Sequence, residues 1–140
     1  MCPDLIVVHG DRIEALAGAL VGALNNIFVA HIEGGEVSGT IDESIRHAIT
    51  KVSHFHFVAN DAAKQRLLQL GEDPTTIYVI GSPDLDAMHS SNLPTAEEAF
   101  SYYEIPFDRY AVSILHPVTT ELNLLKDNVE TYIRALLESN

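Results

Sequence analysis

The sequence predicts an α/β fold built on a parallel sheet. Four short, nearly continuous apolar runs alternate with stretches of helical periodicity, and Gly, Asn and Asp residues separate them. Parallel strands that are buried on both faces have this continuous apolar character, and right-handed crossover helices connect them. We therefore expect helices on both faces of the sheet.

The first two strands are predicted at residues 5–8 and 27–31. Helical spacing of Ala and Leu over residues 13–24 predicts the helix between them, and Asn25 and Asn26 interrupt that spacing. A glycine pair ends the second run, because glycine accepts almost any backbone angle. These residues therefore form one complete βαβ unit.

The third and fourth strands are predicted at residues 55–58 and 77–80. Each is preceded by a predicted helix, over about residues 42–52 and 61–70. The residues that can cap these helices are Thr40 or Asp42 for the first and Asn60 or Asp61 for the second. The pattern of the first two strands thus continues through the fourth.

The pattern changes after residue 82. Residues 83–108 contain several prolines and polar turn residues and have no strand character, so we interpret them as a linker or domain crossover. A fifth strand is predicted at residues 110–115 and a long amphipathic helix over residues 121–138. Since one βα unit cannot cover its own sheet, this segment is expected to open a second α/β domain.

Composition excludes several classes of partner. With 46% hydrophobic residues the 140-residue chain can form a core, and its formal charge of −12 repels nucleic acid. No apolar stretch is long enough for a membrane span, and no signal peptide is evident. The single cysteine, Cys2, cannot form an intrachain disulfide, so we expect a cytoplasmic protein with neither nucleic-acid nor membrane partners.

Polar side chains follow the predicted strands at their carboxyl ends, where open parallel sheets bind ligands. The candidates there and on the helix after the second strand are His9, Asp11, Arg12, His31, Glu33, Asp42, Glu43, Arg46, His47 and His116. Taken singly, such residues are often helix caps or solvent-exposed turn residues. Their concentration at one predicted edge indicates a ligand-binding or catalytic site.

Two of these residues, Asp11 and Glu33, follow neighbouring strands and could supply paired carboxylates for general acid or base chemistry. Asp42 and Arg46 lie four positions apart on a predicted helix, so an exposed ion pair is the simpler interpretation for them. The glycine pair after Glu33 could bring backbone amides close to an anionic or sugar ligand, or could only allow a loop with positive φ.

Neither a metal nor a cofactor is expected. His54 and His56 lie two positions apart on a strand and could share a metal ion, but no third ligand is evident, which favours buried or interface histidines. The sequence contains no nucleotide phosphate loop, no G-x-S-x-G nucleophile turn and no Rossmann glycine fingerprint.

Four segments of the sequence are distinctive: VVHGDR at residues 7–12, HIEGGEVSGTIDESIRHAITKVSHFHF at 31–57, VIGSPDLD at 79–86 and ILHPVTTE at 114–121. Together they resemble the hydrolysing UDP-N-acetylglucosamine 2-epimerases of the sialic-acid pathway. The segments occur in order across almost the whole chain. The HIEGGEVSGTID string distinguishes this branch from the non-hydrolysing 2-epimerases, which share only a looser H-x-E-x-G pattern.

The resemblance implies a GT-B architecture, in which two Rossmann-like domains enclose the active site between them. The chain is then a middle portion of such a protein. Residues 1–82 are expected to be the later part of the N-terminal domain, residues 83–108 the interdomain crossover, and residues 109–140 the first βα unit of the C-terminal domain.

The resemblance also implies the reaction and its residues. UDP-N-acetylglucosamine is converted to N-acetylmannosamine and UDP by elimination of UDP and addition of water to the resulting glycal. The catalytic residues implied are Asp11, Glu33, Asp42 and His116, and the substrate-binding residues are Arg46, Gly35 and Arg12. Which carboxylate removes the C2 proton is left open. His9, His31, His54 and His56 match family positions and are expected to support strand ends or subunit packing.

The chain lacks counterparts of the family's uridine and diphosphate loops, so we expect the isolated 140-residue chain to be inactive. The expected partners are UDP-N-acetylglucosamine or UDP and further copies of the chain. One alternative is a non-catalytic binding or oligomerisation module, since an incomplete sheet exposes edges and apolar faces. Another is a single flavodoxin-like or response-regulator-like domain with five parallel strands.

Overall fold

The computed structural model describes residues 3–107, 110–116 and 119–139. Cys2 and Pro117, which enter the sequence analysis, lie outside these ranges. The strands are β1 (Leu5–His9), β2 (Phe28–Ile32), β3 (Phe55–Val58) and β4 (Ile77–Val79). The α-helices are α1 (Ile13–Leu24), α2 (Ile41–Lys51), α3 (Asp61–Gln69), α4 (Pro83–Met88), α5 (Ala96–Tyr102) and α6 (Leu125–Glu138). Short 3-10 helices lie at Pro74–Thr76 and Thr119–Leu124.

The strands form one parallel sheet in the order β1-β2-β3-β4. A single row across the sheet pairs Val8 with His31, His31 with His56, and His56 with Ile77. The predicted α/β class with a parallel sheet is therefore confirmed. A flavodoxin-like domain is wrong for this chain, because that fold begins with the strand order 2-1-3 and the described strands follow one another in sequence order.

Helices α1, α2 and α3 pack against the same face of the sheet. Ala19 of α1 and Ile49 of α2 form one buried cluster with Val8 and Val29 of the sheet. Ala63 and Leu67 of α3 form a second buried cluster with Val58 and Ile77 on the same face. The expectation that these helices cover both faces is thus wrong. When every strand is added on the same side of its predecessor, right-handed crossovers place every connecting helix on one face.

The opposite face of the sheet remains open within this part of the structure. Val7 is 57% exposed and Phe28 is 55% exposed, although both belong to strands. Aromatic rings run across this face: Phe28 lies 5.7 Å from Phe55, and Phe57 stacks on Tyr78 at 5.4 Å between centroids. Both faces of the sheet therefore carry apolar side chains, as the sequence predicts, but helices α1, α2 and α3 cover only one of them.

The chain divides into two compact units, Met1–Leu93 and Pro94–Asn140. The boundary falls inside the predicted crossover, residues 83–108, and the assignment of the two parts to Rossmann-like domains stays a prediction. That crossover is not a plain linker, because α4 and α5 lie in it. Pro83 occupies the first turn of α4, and Thr95 and Glu98 form a reciprocal capping box at the start of α5.

The predicted strand at residues 110–115 does not form. The described residues 110–116 are exposed and have no regular secondary structure. A strand needs a neighbouring strand for its backbone N–H and C=O groups, and the described part of this unit offers none. The helix predicted over residues 121–138 is present in its larger part as α6, and the 3-10 helix Thr119–Leu124 precedes it.

Among the described residues, no helix combines the length and the apolar character required to cross a membrane.

Candidate functional site

The carboxyl ends of β1 and β2 place Asp11 and Glu33 at the same edge of the sheet. His9, the last residue of β1, is paired with Ile32, the last residue of β2. The backbone ladder continues past both ends: the Gly10 amide donates to the Ile32 carbonyl at 3.0 Å, and the Glu33 amide donates to the Phe57 carbonyl at 2.8 Å. Glu33 is therefore hydrogen-bonded to the sheet through its own backbone amide. Asp11 directly follows Gly10, whose amide is hydrogen-bonded to the sheet in the same way.

Asp11 is held by an arginine from α2. The Arg46 Nη2 donates to Asp11 Oδ2, and Nη1 donates to the backbone carbonyl of Glu36 at 2.8 Å. Arg46 is only 9% exposed. The predicted exposed ion pair between Asp42 and Arg46 is therefore wrong. The buried guanidinium instead joins the end of β1 to the loop after β2, which orients the Asp11 carboxylate.

Glu33 is held by two polar side chains, one on each carboxylate oxygen. His9 Nε2 lies 2.9 Å from Glu33 Oε2, and Ser82 Oγ donates to Glu33 Oε1 at 3.1 Å. The Glu33 backbone has φ of +63°, in the left-handed region that non-glycine residues seldom adopt. The contact to His9 joins β1 to β2, and the contact to Ser82 joins the residue after β2 to the start of α4.

The sequence predicts that His9 supports a strand end, and it predicts no role for Ser82. The signal that indicates the contact of His9 is its position at the end of a strand, beside the carboxylate that follows the next strand. Ser82 could have been found from its place after β4 in the GSPDLD segment, since the ends of parallel strands meet at one edge.

Gly35 is constrained by α3. Its φ is +80°, and a Cβ there would lie 2.6 Å from the Ala63 carbonyl oxygen. Arg66 of α3 donates from Nη1 to the Gly35 carbonyl at 2.8 Å. The loop after β2 is thus clamped by an arginine from each of two helices, Arg46 and Arg66. A contact between Gly35 and substrate stays a prediction.

The start of α2 carries the remaining acidic residues. Asp42 accepts a hydrogen bond from Thr40 Oγ at 3.1 Å. Glu43 accepts from the backbone amides of Gly39 at 2.8 Å and Ser38 at 3.0 Å. The hydrogen bonds from these backbone amides hold the pKa of the Glu43 carboxyl below its usual value. Glu43 is therefore a structural residue of the turn, while the catalytic assignment of Asp42 stays a prediction.

His31 lies directly beneath the edge and is fully buried. Its Nε2 is 2.8 Å from the Gly10 carbonyl oxygen, and its Nδ1 is 3.1 Å from Thr50 Oγ of α2. Burial lowers the pKa of His31 to about 4, although the Gly10 hydrogen bond opposes the shift. The imidazole is therefore neutral near pH 7.

The other two strand histidines serve separate contacts. His54 Nδ1 accepts from the Val29 backbone amide at 3.1 Å. His56 is buried with Nε2 3.4 Å from Glu72, which also binds Lys51 at 2.7 Å. Burial lowers the pKa of His56 despite the Glu72 carboxylate. Across residues 3–107, 110–116 and 119–139, no group of three or more His, Cys, Asp or Glu side chains could hold a metal ion.

Two predicted site residues take no part in the hydrogen bonds and ion pairs described above. Arg12 is exposed and immediately precedes α1. His116 is exposed at the end of the irregular segment 110–116 in the second compact unit. Their roles toward substrate stay predictions.

Comparisons with known proteins agree on one family. A family model described as UDP-N-acetylglucosamine 2-epimerase matches residues 1–140. A UDP-N-acetylglucosamine 2-epimerase of Neisseria meningitidis serogroup B is 56% identical over 96% of this chain. A Legionella pneumophila relative, UDP-N,N'-diacetylbacillosamine 2-epimerase (hydrolyzing), is 42% identical over 99% of it.

Solved structures agree. A Methanocaldococcus jannaschii UDP-GlcNAc 2-epimerase, crystallised in complex with UDP-GlcNAc and UDP, matches 97% of this chain with a TM-score of 0.75 and 27% identity. The chain spans 38% of that structure and 36% of the Neisseria relative, so it corresponds to a little over a third of a full-length relative.

Proposed function

Because the chain belongs to the UDP-N-acetylglucosamine 2-epimerase family, we propose that it is a part of an enzyme that epimerises a UDP-linked N-acetyl amino sugar at C2. The proposed substrate is UDP-N-acetylglucosamine, and the proposed products are N-acetylmannosamine and UDP. The observation that carries the proposal is that Asp11 and Glu33 follow the carboxyl ends of the paired strands β1 and β2, and that each carboxylate has its own hydrogen-bond partner.

This arrangement suits the chemistry of the reaction. In the first step a base takes the C2 proton, a C1–C2 double bond forms, and the bond between C1 and the UDP oxygen breaks. In the second step water adds its oxygen to C1 and a proton returns to C2 from the opposite face. Two positioned carboxylates can take and give these protons, because each step requires a general base or acid within hydrogen-bonding reach.

The remaining roles rest on the resemblance of the sequence segments to the family. Arg46 is proposed to orient Asp11 and to offset negative charge near the sugar, and Gly35 and Arg12 to contact substrate. Asp42 is proposed as the third acidic group, at the start of α2. His116 is proposed to lie near the diphosphate, whose departure is favoured by nearby hydrogen-bond donors.

We assign the hydrolysing type of reaction and the sialic-acid pathway as the finer proposal. The HIEGGEVSGTID segment supports this type, and two relatives, at 42% and 37% identity, carry the word hydrolyzing in their names. The proposal includes a cytoplasmic location and a homo-oligomeric assembly. Light scattering of the purified chain measures the second of these.

A chimeric enzyme tests the proposal. The matched 134 residues of the Neisseria relative are replaced by the corresponding part of this chain, and UDP release and N-acetylmannosamine formation are measured. We expect an active chimera that loses turnover on Asp11→Asn or Glu33→Gln, with Glu14→Gln, at an exposed position of α1, as the matched control. An inactive but folded chimera, or full activity in both site variants, would contradict the proposal.

The same variants address the open assignment of the base. In D2O the variant that lacks the C2 base should fail to release UDP and to exchange the C2 hydrogen. A variant impaired only in the second step should still release UDP and accumulate the glycal. The isolated 140-residue chain is expected to release no UDP, because the reaction requires substrate to be held in place from more than one side.

A further inference from the structure

His31 contacts both of the loops that carry the site carboxylates. On one side its Nε2 lies 2.8 Å from the carbonyl of Gly10, the residue before Asp11. On the other side its Nδ1 lies 3.1 Å from Thr50 Oγ, and the two atoms sit against Gly34, the residue after Glu33. A Cβ on Gly34 would lie 3.0 Å from His31 Nδ1 and 3.1 Å from Thr50 Oγ, so the His31–Thr50 pair leaves no room for a side chain at Gly34 unless the pair shifts.

The hydrogen-bond partners define the protonation of the ring. A carbonyl oxygen only accepts, so Nε2 must carry the proton that it donates to Gly10. In a neutral imidazole Nδ1 is then the acceptor, and the Thr50 hydroxyl is its donor. Each ring nitrogen therefore has one defined partner, and rotation of the ring would break both bonds.

We propose that His31 is a positioning residue that couples the Gly10–Asp11 loop to the turn at Glu33 and Gly34 through one buried imidazole. The effect of His31 on catalysis rests on the proposed function. The structural coupling does not, because it states only that a change at His31 displaces both loops together. His31 touches neither carboxylate, so it acts through the backbone that carries them.

A neighbouring residue provides a matched control. His56 is also buried, lies on the same face, and is paired with His31 in the sheet. Its side-chain contact is to Glu72 instead of either loop. A core histidine that only fills space should therefore behave like His56 when it is replaced.

The first experiment uses the 140-residue chain and NMR spectroscopy. We compare His31→Leu, His31→Gln and Thr50→Val with His56→Gln, and follow the backbone amide signals of Gly10, Asp11, Glu33 and Gly34. His31→Leu and the milder Thr50→Val should shift the signals of both loops, and the ring nitrogens of the parent chain should report the Nε2–H tautomer. His56→Gln should leave both loops unchanged.

The second experiment places the same variants in the chimera. A displacement near 1 Å can lower a rate by about 100-fold, so His31→Leu should reduce kcat by about 10- to 100-fold with little change in KM. His31→Gln, whose amide can donate to the Gly10 carbonyl, should recover a large part of that loss. His56→Gln should retain kcat.

The two experiments separate the two proposals. Loop signals that stay in place in both His31→Leu and Thr50→Val would overturn the coupling, whatever the chimera does. An active chimera in which His31→Leu and His56→Gln lower kcat equally would overturn the positioning role. If the unsubstituted chimera is inactive, the proposed function fails, and the NMR comparison alone decides the coupling.

Discussion

The two compact units of the chain form their helices in different ways. In Met1–Leu93, Leu67 of α3 is completely buried against β3 and β4. In Pro94–Asn140, Leu137 of α6 is 70% exposed, and the described residues of that unit include no buried hydrophobic residue. Helix formation in the second unit thus relies on local signals such as the Thr95 capping box. In the first unit, burial of helix side chains against the sheet stabilises the helices in addition to such signals.

This contrast shows which structural features require partners that are distant in the sequence. Helical periodicity and caps act within a few residues. They suffice for α5, which has a capping box, and for the amphipathic α6, in a unit whose described residues include no strand. A strand instead depends on another strand for its backbone hydrogen bonds, and residues 110–116 lack one among the described residues.

The largest expected difference between the units comes from the same substitution in each. Leu67→Ala should lower the free energy of unfolding by about 2–5 kcal/mol, because it opens a cavity in a closed core. Leu137→Ala, also in a helix, should change it by less than about 0.5 kcal/mol. Urea denaturation followed by circular dichroism measures both, and equal losses would contradict the contrast.

Acid should destabilise the first unit selectively. The pKa of His31 falls from 6.5 to about 4 on folding, so the unfolded chain binds a proton that the folded chain refuses between these values. Stability is fully present above pH 6.5 and should decrease by about 3 kcal/mol as the pH falls to about 4. The lowered pKa of His56 acts in the same direction.

The measurement is the urea midpoint at several pH values, with NMR amide signals separating α1–α3 from α6. In His31→Gln the slope between pH 6.5 and 4 should become shallower, since glutamine does not titrate. An unchanged slope would mean that other groups cause the acid effect.

Substitutions at two glycines of the first unit distinguish the cost of backbone strain from the cost of a steric clash. Gly35 and Gly39 both have positive φ, but only a Cβ at Gly35 meets a neighbour, the Ala63 carbonyl. Gly39→Ala should cost about 1 kcal/mol, and Gly35→Ala about 2 kcal/mol more because it also overpacks. Thermal or urea unfolding of the two variants tests this, and similar losses would show that the loop yields to the added methyl group.

The last comparison concerns the start of α5 in the second unit. Thr95→Ala removes the side-chain oxygen that caps the Glu98 amide and should destabilise α5 by about 1 kcal/mol, whereas Thr95→Ser keeps the cap. NMR Cα shifts of residues 96–102 report the helix population. Equal helix content in both variants would exclude the capping box as its main local support.

Much of the first unit could be predicted from its sequence. Helix α1 has the predicted limits, and each of the four predicted strands is present within one residue or so of its expected ends. The apolar runs and the polar residues between them are strong local signals. The placement of Asp11 and Glu33 just beyond the paired ends of β1 and β2 follows from the parallel order alone, because carboxyl ends of parallel strands share an edge.

Local sequence patterns alone do not identify the hydrogen-bond partners of these carboxylates. Arg46 was expected to pair with Asp42 four positions away, but burial under the loop after β2 brings it to Asp11. Ser82 reaches Glu33 across 49 positions of sequence, which no local pattern encodes. Such contacts depend on crossover lengths and on how deeply each helix packs.

The sequential strand order has a consequence for how the sheet assembles. Each described strand pairs with the strand just before it in the chain, one βα unit away, so every pairing closes a loop of similar and moderate length. Closing such a loop costs less conformational entropy than joining segments from opposite ends of a polypeptide. A low sequence separation between contacting segments accompanies rapid folding. The sheet can therefore grow from β1 to β4 in the direction of synthesis on the ribosome.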